Sequence, residues 1–106
     1  MSYEKLDKGS VRKILRDNSV YGWRFSRGKI PSIYKVYRFS NFVEAVEFIN
    51  RIKDIAEELE HHPDVCIFNY NMVKVNLTTH DIKGLSKFDA ELAIRIENVY
   101  RSFRKD

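Results

Sequence analysis

The chain of 106 residues contains three histidines, and all of them fall between positions 61 and 80. Imidazole is the side chain that can both donate and accept a proton near neutral pH. Three imidazoles brought close together could divide an acid–base reaction among an acid, a base and a group that orients the substrate. On this reasoning His61, His62 and His80 are the candidate catalytic residues.

Carboxylates accompany these histidines along the chain. Glu57 and Glu60 come shortly before the adjacent pair of histidines, and Asp81 directly follows His80. A carboxylate beside an imidazole can hold it in one tautomer and can stabilise its charged form. We therefore expect these acidic side chains to support the histidines.

The histidine pattern by itself leaves other interpretations open. A histidine pair at the end of a helix can simply bond the last free carbonyls, where a cation is favoured. Zinc binding is a second alternative, but adjacent residues rarely point at one ion and the usual ligand spacings are absent. A nucleophilic mechanism has the least support, because there is no Gly-x-Ser-x-Gly turn. The single cysteine, Cys66, lies in an apolar run and is expected to be a buried strand residue.

A long helix is predicted just before the histidine pair, from about Phe42 to Glu60. Asn41 and Glu44 have the spacing of a capping box, and Pro63 disfavours helix beyond it. One apolar stripe consists of Phe42, Ala45, Val46, Ile49, Ile52, Ala56 and Leu59, whereas Val43, Phe48 and Ile55 lie off it. A helix with a second apolar face is often buried twice, so we expect a homo-oligomer.

The other elements follow from the same kind of periodicity. Further helices are predicted from about Ser10 to Asn18 and, after a Ser86–Asp89 capping box, through Phe103. Predicted strands begin at Trp23 and span Ile33–Phe39, Val65–Tyr70 and Met72–Thr79. The order α-β-β-α-β-β-α predicts an α+β two-layer sandwich, with a four-stranded antiparallel sheet and three helices on one face.

Composition is that of one globular domain over residues 1–106, with 43% hydrophobic and 32% charged residues. No stretch approaches the roughly 20 apolar residues that span a bilayer, and the N-terminus has no apolar signal-peptide segment. We therefore expect a cytoplasmic protein without a membrane partner. The net charge is +4, but positive and negative residues are interspersed and no nucleic-acid-binding motif is present. Nucleic acid is not an expected partner.

Seven positions with ordered gaps resemble the signature of the pterin-4a-carbinolamine dehydratase family. They are Glu57, His61, His62, Pro63, Tyr70, His80 and Asp89. Similar positions extend from about Trp23 to Val99, so the resemblance covers most of the chain. The chain departs from many relatives in having Val65 in place of an aromatic residue. It also has one extra residue between Pro63 and Tyr70, where a bulge is expected.

The resemblance implies loss of water from a 4a-hydroxytetrahydropterin to give a quinonoid dihydropterin, with no metal or cofactor. By position, His61 and His80 would be the acid–base pair, and His62 an orienting or auxiliary group. The implied substrate-binding segments are Glu60, His61 and His62, and Thr78, Thr79, His80 and Asp81. Glu57, Tyr70, Asp89 and Trp23 would support the pocket, although helix capping could explain Asp89 and core packing could explain Trp23.

The resemblance also implies homodimers that pair their sheets, or homotetramers that pair dimers through the long helix. Some animal relatives also act as dimerisation cofactors for a homeodomain transcription factor, so a non-catalytic binding module is the alternative function. Retention of the three histidines favours the enzyme. The sequence leaves open which pterin is used, which histidine is the acid, and whether the oligomer is a dimer or a tetramer.

Overall fold

The computed structural model describes residues 4–104. Within this range the elements are α1 (Lys8–Asp17), β1 (Arg24–Phe25), β2 (Ile33–Arg38), α2 (Phe42–Leu59), β3 (Asp64–Phe68), β4 (Met72–Leu77), a 3-10 turn (His80–Ile82) and α3 (Lys87–Phe103). The N-terminal residues 1–3, and Lys105 of the basic C-terminal run with Asp106, lie outside the described residues. No helix in residues 4–104 is both long and apolar enough to cross a membrane.

The four strands form one antiparallel sheet in the order β1-β2-β4-β3. Residues on β4 alternate in burial, because Val73, Val75 and Leu77 face the helices while Lys74 is exposed on the other side. The three helices lie on that one face, so the expected α+β two-layer sandwich is confirmed. The expected bulge is wrong, because every residue of β3 has its own partner on β4.

Local capping bonds determine where the helices begin. At the start of α3, the Ser86 hydroxyl accepts the Phe88 N–H and the Asp89 carboxylate accepts the Ser86 N–H, which confirms the predicted capping box. The Asn41 side chain likewise accepts the Glu44 N–H at the start of α2. The first helix begins two residues earlier than predicted, at Lys8, because the Asp7 carboxylate caps it by accepting the Ser10 N–H.

The core face of α2 differs from the predicted stripe. Phe48 and Ile55, assigned above to a second face, are buried in the core, and the Phe48 ring lies 5.0 Å from the Tyr37 ring. Phe42 and Val43 are instead 53% and 63% exposed. Apolar residues occur around most of α2, so periodicity alone could not indicate which of them face the core.

Cys66 is also placed differently from the prediction. It is exposed rather than buried. The strand β3 lies at the edge of the sheet, and its residues Asp64, Cys66 and Phe68 alternate with the more buried Val65 and Ile67. The apolar run therefore contributes only every second side chain to the core, because the other side of the sheet carries no helix.

A buried polar network joins the middle of the sheet to α3. The Tyr37 hydroxyl and the Lys35 ammonium both donate to Glu97 Oε1, at 2.7 and 2.8 Å. Lys35 also donates to the Tyr21 carbonyl. Burial, and next the negative charge of Glu97, raise the pKa of Tyr37 above its ordinary value. The network thus favours a protonated phenol in the folded chain.

We expect Tyr37→Phe to change how stability depends on alkaline pH. Above pH ~10 the phenol ionises in the unfolded chain while the raised pKa keeps it protonated in the folded one, so the free energy of unfolding falls as pH rises. Without this phenol the fall should be shallower by about 1.4 kcal/mol per pH unit. Urea denaturation of both proteins between neutral and alkaline pH measures this, and parallel curves would contradict it.

Candidate active site

The main chain at the end of α2 turns sharply and separates the two adjacent histidines. Glu60 is in the left-handed conformation, with φ 52°, and the N–H groups of Glu60 and His61 bond the carbonyls of Glu57 and Ala56. This is the bonding pattern of a Schellman motif, which ends the helix before Pro63 is reached. The turn leaves the His61 side chain buried and the His62 side chain exposed.

The second segment of the site follows β4, which ends at Leu77 rather than at the predicted Thr79. Thr79 pairs with Gly84 in an isolated bridge, so the chain leaves the sheet and makes the 3-10 turn that begins at His80. The Thr78 hydroxyl donates to the Pro31 carbonyl at 2.7 Å. These bonds hold the turn against the sheet while His80 itself is exposed.

The ends of α2 and β4 meet at a cleft of about 240 Å³, called here the histidine cleft. It is lined by Glu60, His61, His62, Thr78, Thr79, His80 and Asp81. The three histidines and all of the predicted substrate-binding residues therefore line one cavity. Their roles there stay predictions.

Asp89 lies beneath the cleft and is fully buried. Its Oδ1 is 2.6 Å from His61 Nε2, and its Oδ2 accepts the Thr79 hydroxyl and the Ser86 N–H at 2.7 and 3.0 Å. An ionised carboxylate only accepts, so His61 donates from Nε2, and in the neutral imidazole Nδ1 then carries the lone pair. Asp89 thus both caps α3 and orients His61, so the capping interpretation alone was incomplete.

Ser86 is a member of this network that the sequence reasoning treated only as a helix cap. The single hydroxyl proton of Thr79 is donated to Asp89, so Ser86 is the donor in the 2.7 Å contact between the two hydroxyls. The spacing of Ser86 and Asp89 predicted their local bonds. This spacing did not indicate that the Asp89 carboxylate also contacts His61, 28 positions earlier in the chain.

His62 forms a similar pair in an exposed setting. Its Nε2 lies 2.6 Å from Glu57 Oε2, and both side chains are well over half exposed. The suggestion that the histidines cap helix carbonyls is therefore wrong for both, since main-chain N–H groups bond those carbonyls and the imidazoles meet carboxylates. Glu57 thus contacts His62, and its supporting role in the site stays a prediction.

Two of the predicted supporting residues lie away from the histidine cleft. Trp23 is buried against Tyr37, with ring centroids 6.2 Å apart, and lines a different cavity beside α1. Tyr70 is 64% exposed in the turn between β3 and β4, where its φ is 54°. Neither is among the residues that line the cleft, and their supporting roles stay predictions.

The described residues also bear on metal binding. Within residues 4–104, no three or more His, Cys, Asp or Glu side chains are grouped in a way that could hold a metal ion. The histidine cleft holds three imidazoles, one buried and two exposed, and imidazole is a side chain that can transfer protons.

Comparison with protein families gives one match that spans nearly the whole chain. The model described as pterin 4 alpha carbinolamine dehydratase matches residues 4–99. That range includes all the residues of the histidine cleft and Asp89.

Curated relatives are similar over most of their length. A protein of Sulfurisphaera tokodaii is 43% identical over 91% of this chain and 97% of its own. A protein of Sulfolobus acidocaldarius is 38% identical over 90% and 98%. Both are provisionally named pterin-4-alpha-carbinolamine dehydratase.

Solved structures resemble the fold. A Brucella melitensis protein described as a transcriptional coactivator/pterin dehydratase has a TM-score of 0.80 and 28% identity, over 92% of this chain and 99% of that one. A pterin dehydratase-like protein identified as a RuBisCO assembly factor has a TM-score of 0.63 over 76% of this chain and 90% of its own. At 21% identity, the second likeness concerns the fold alone.

The N–O distance is 2.6 Å in both histidine–carboxylate pairs, but one pair is buried and the other exposed. We therefore expect removal of the two carboxylates to lower the free energy of unfolding by different amounts. Asp89→Asn should lower the free energy of unfolding by about 1–3 kcal/mol, because buried donors lose a charged acceptor. Glu57→Gln should lower it by less than about 1 kcal/mol, because water replaces the exposed bond. Urea denaturation at neutral pH compares the variants, and equal losses would contradict the different roles of burial.

Proposed function

Because the chain belongs to the pterin 4 alpha carbinolamine dehydratase family, we propose that it removes water from a 4a-hydroxytetrahydropterin to give a quinonoid dihydropterin. One observation carries the proposal. The three imidazoles of the chain line one cleft, and one of them is bonded to a fully buried carboxylate. This arrangement suits general acid–base catalysis, in which neighbouring groups with different surroundings take different roles.

The reaction needs one proton delivered and one removed. The hydroxyl on C4a receives a proton and leaves as water when the C4a–O bond breaks. The electron pair of N5 forms the C4a=N5 double bond, and N5 then loses its proton to a base. An acid and a base are therefore sufficient, and the reaction calls for no metal or cofactor.

We assign the base to His61. The bond from Nε2–H to Asp89 leaves Nδ1 with the lone pair that would take the N5 proton. The carboxylate would stabilise the imidazolium formed in that step, as it does in serine–histidine–aspartate sites. Thr79 and Ser86 hold Asp89 in position through its other oxygen and so limit the motion of the ring.

The remaining roles follow from exposure. His80 begins the 3-10 turn at the solvent side of the cleft, where it can regain a proton from water, so we assign it the acid. His62, paired with Glu57, would orient the substrate. The hydroxyls of Thr78 and Thr79 are already bonded within the protein, so the exposed carboxylates of Glu60 and Asp81 are better placed to accept the N–H groups of a pterin.

The proposal extends to the setting of the enzyme. We take residues 1–106 as one catalytic domain. We place it in the cytoplasm, where cysteine thiols are kept reduced, because Cys66 is a free, exposed thiol. The substrate is defined only by its bicyclic head, which biopterin, folate-like pterins and modified pterins share. Each of these pterins would place the enzyme in a different pathway, and tetrahydrobiopterin metabolism is one of them.

We also propose that a second copy of the chain covers part of α2. Phe42 and Val43 are largely exposed, and Val46 and Ile49 beside them are only partly buried. At 100° per residue these four lie within one third of the helix circumference. A contiguous apolar surface of this kind is typical of an interface. A dimer or tetramer built through α2 is the form that we expect.

The same surface supports the alternative function, a non-catalytic binding module. The Brucella melitensis structure is described as both a coactivator and a dehydratase, so the two functions need not exclude each other. A binding module would depend on α2 and be indifferent to the histidines. The dehydratase would depend on the histidines even where α2 is intact.

The first test is decay of chemically generated 4a-hydroxytetrahydropterin, followed by stopped-flow ultraviolet absorbance. We expect His61→Gln and His80→Ala each to lower the catalysed rate by about 10²–10⁴-fold, because each removes one proton transfer. Glutamine at position 61 can still donate to Asp89, so the cap network survives while proton exchange is lost.

Lys53→Gln is the control, because Lys53 is exposed on α2 and outside the cleft, and it should keep the wild-type rate. No acceleration of decay by folded wild-type protein would exclude that pterin as substrate. If no pterin responded while a protein partner bound α2, the binding module would replace the dehydratase. A normal rate in either histidine variant would remove the proposed acid–base pair.

A second test concerns the oligomer. We expect the wild-type protein to sediment at a multiple of the 12.6 kDa chain, and Phe42→Glu with Val43→Glu to shift it to a smaller species. Both positions are in the first turn of α2, where a negative charge favours the helix, so the monomer should stay folded. Lys29→Glu, at an exposed position outside α2, makes the same change in net charge and should leave the mass unchanged, and equal masses for all three proteins would contradict the interface.

A further inference from the structure

A second cavity, of about 280 Å³, lies between α1 and the start of β1. We call it the Trp23 cavity, and it shares no lining residue with the histidine cleft. Its apolar wall is formed by Leu15, Val20, Trp23 and Phe25. These side chains belong to the hydrophobic core or pack against it, so the wall is a surface of the core itself.

Two guanidinium groups complete the lining. Arg12 and Arg16 are one turn apart on α1, and both line the cavity, which has no carboxylate in its lining. Arg12 lies over the Phe25 ring, 4.9 Å from its centre. The nearest acidic side chain on α1, Asp17, is already paired with Lys13 at 2.7 Å. The cavity therefore combines an apolar wall with the positive charge of two guanidinium groups, which suits an anion that carries an apolar body.

The indole of Trp23 adds a third feature. Its side chain is more than nine-tenths buried, and within residues 4–104 its Nε1–H has no hydrogen-bond partner. Buried donors without a partner are rare in folded proteins and call for an explanation. A carboxylate has about four lone-pair sites, enough to meet guanidinium groups and one further N–H after a small shift of the wall.

From these features we propose that the Trp23 cavity binds a small aromatic monocarboxylate, with its carboxylate at Arg12 and Arg16 and its ring against the apolar wall. The volume of about 280 Å³ corresponds to roughly nine water molecules at about 30 Å³ each, which suits a small ligand. A one-ring acid is of a size that fits this space. The site is separate from the proposed dehydratase chemistry, because none of its residues lines the histidine cleft.

The protein carries its own reporter for this site, since Trp23 is the only tryptophan in the chain. Benzoate is the probe, and benzamide is the neutral control of nearly the same shape. We expect benzoate to change the tryptophan fluorescence in a saturable way, with benzamide binding at least about tenfold more weakly because it lacks the charge. Equal affinity for the two compounds, or no saturable change with benzoate, would overturn the proposal.

Variants of α1 then assign the contact. Arg12→Gln with Arg16→Gln should weaken benzoate binding by about tenfold or more, whereas Lys53→Gln removes an exposed charge on α2, outside the lining, and should leave it unchanged. The same loss with Lys53→Gln, or none with the double variant, would overturn the site. All these variants should keep the wild-type rate of pterin dehydration, so the result does not depend on the outcome for the histidine cleft.

Discussion

The bonds of one buried carboxylate hold together the three chain segments on which the site depends. Asp89 is fully buried, and burial of a charge is costly unless it is paired and hydrogen-bonded. Its partners are His61 after α2, Thr79 after β4 and Ser86 before α3. If any of these segments moved, a buried charge would lose a partner. The position of the histidine cleft is therefore set by the need to satisfy Asp89, in addition to the packing of helices on the sheet.

This constraint gives different surroundings to three side chains of the same type. His61 is buried and bonded to Asp89, His62 is exposed and bonded to Glu57, and His80 is exposed on a turn. The difference originates in the Schellman turn at Glu60, which directs two consecutive residues to opposite sides of the chain. Identical imidazoles can thus serve distinct steps of a proton transfer, because their environments and not their chemistry distinguish them.

Rules that depend on near neighbours in the sequence predicted most of the elements of the fold. Features that depend on how distant elements pack against each other were not predicted. The caps at Asn41 and Ser86 were predicted because they depend on bonds between near neighbours. The burial of Phe48 and the exposure of Cys66 were not, because each depends on which face of an element meets another element. For the site, residue chemistry indicated the histidines, but the resemblance to a family supplied the threonines and Asp89. Neither source indicated that Trp23 lies in a separate cavity, since its neighbours there belong to α1.

Because Asp89 serves both the helix cap and His61, replacing it should affect stability and the candidate chemistry together. Replacing His62 or His80 should affect the candidate chemistry alone. His62 and His80 project from the ends of elements into solvent, so replacing them disturbs little of the core. Asp89 completes the cap of α3 and orients His61 with the same side chain. A residue that satisfied only the cap, such as asparagine, would offer an amide in place of the charged acceptor of His61. Selection for helix stability alone would therefore permit substitutions at position 89 that the proposed catalysis would not.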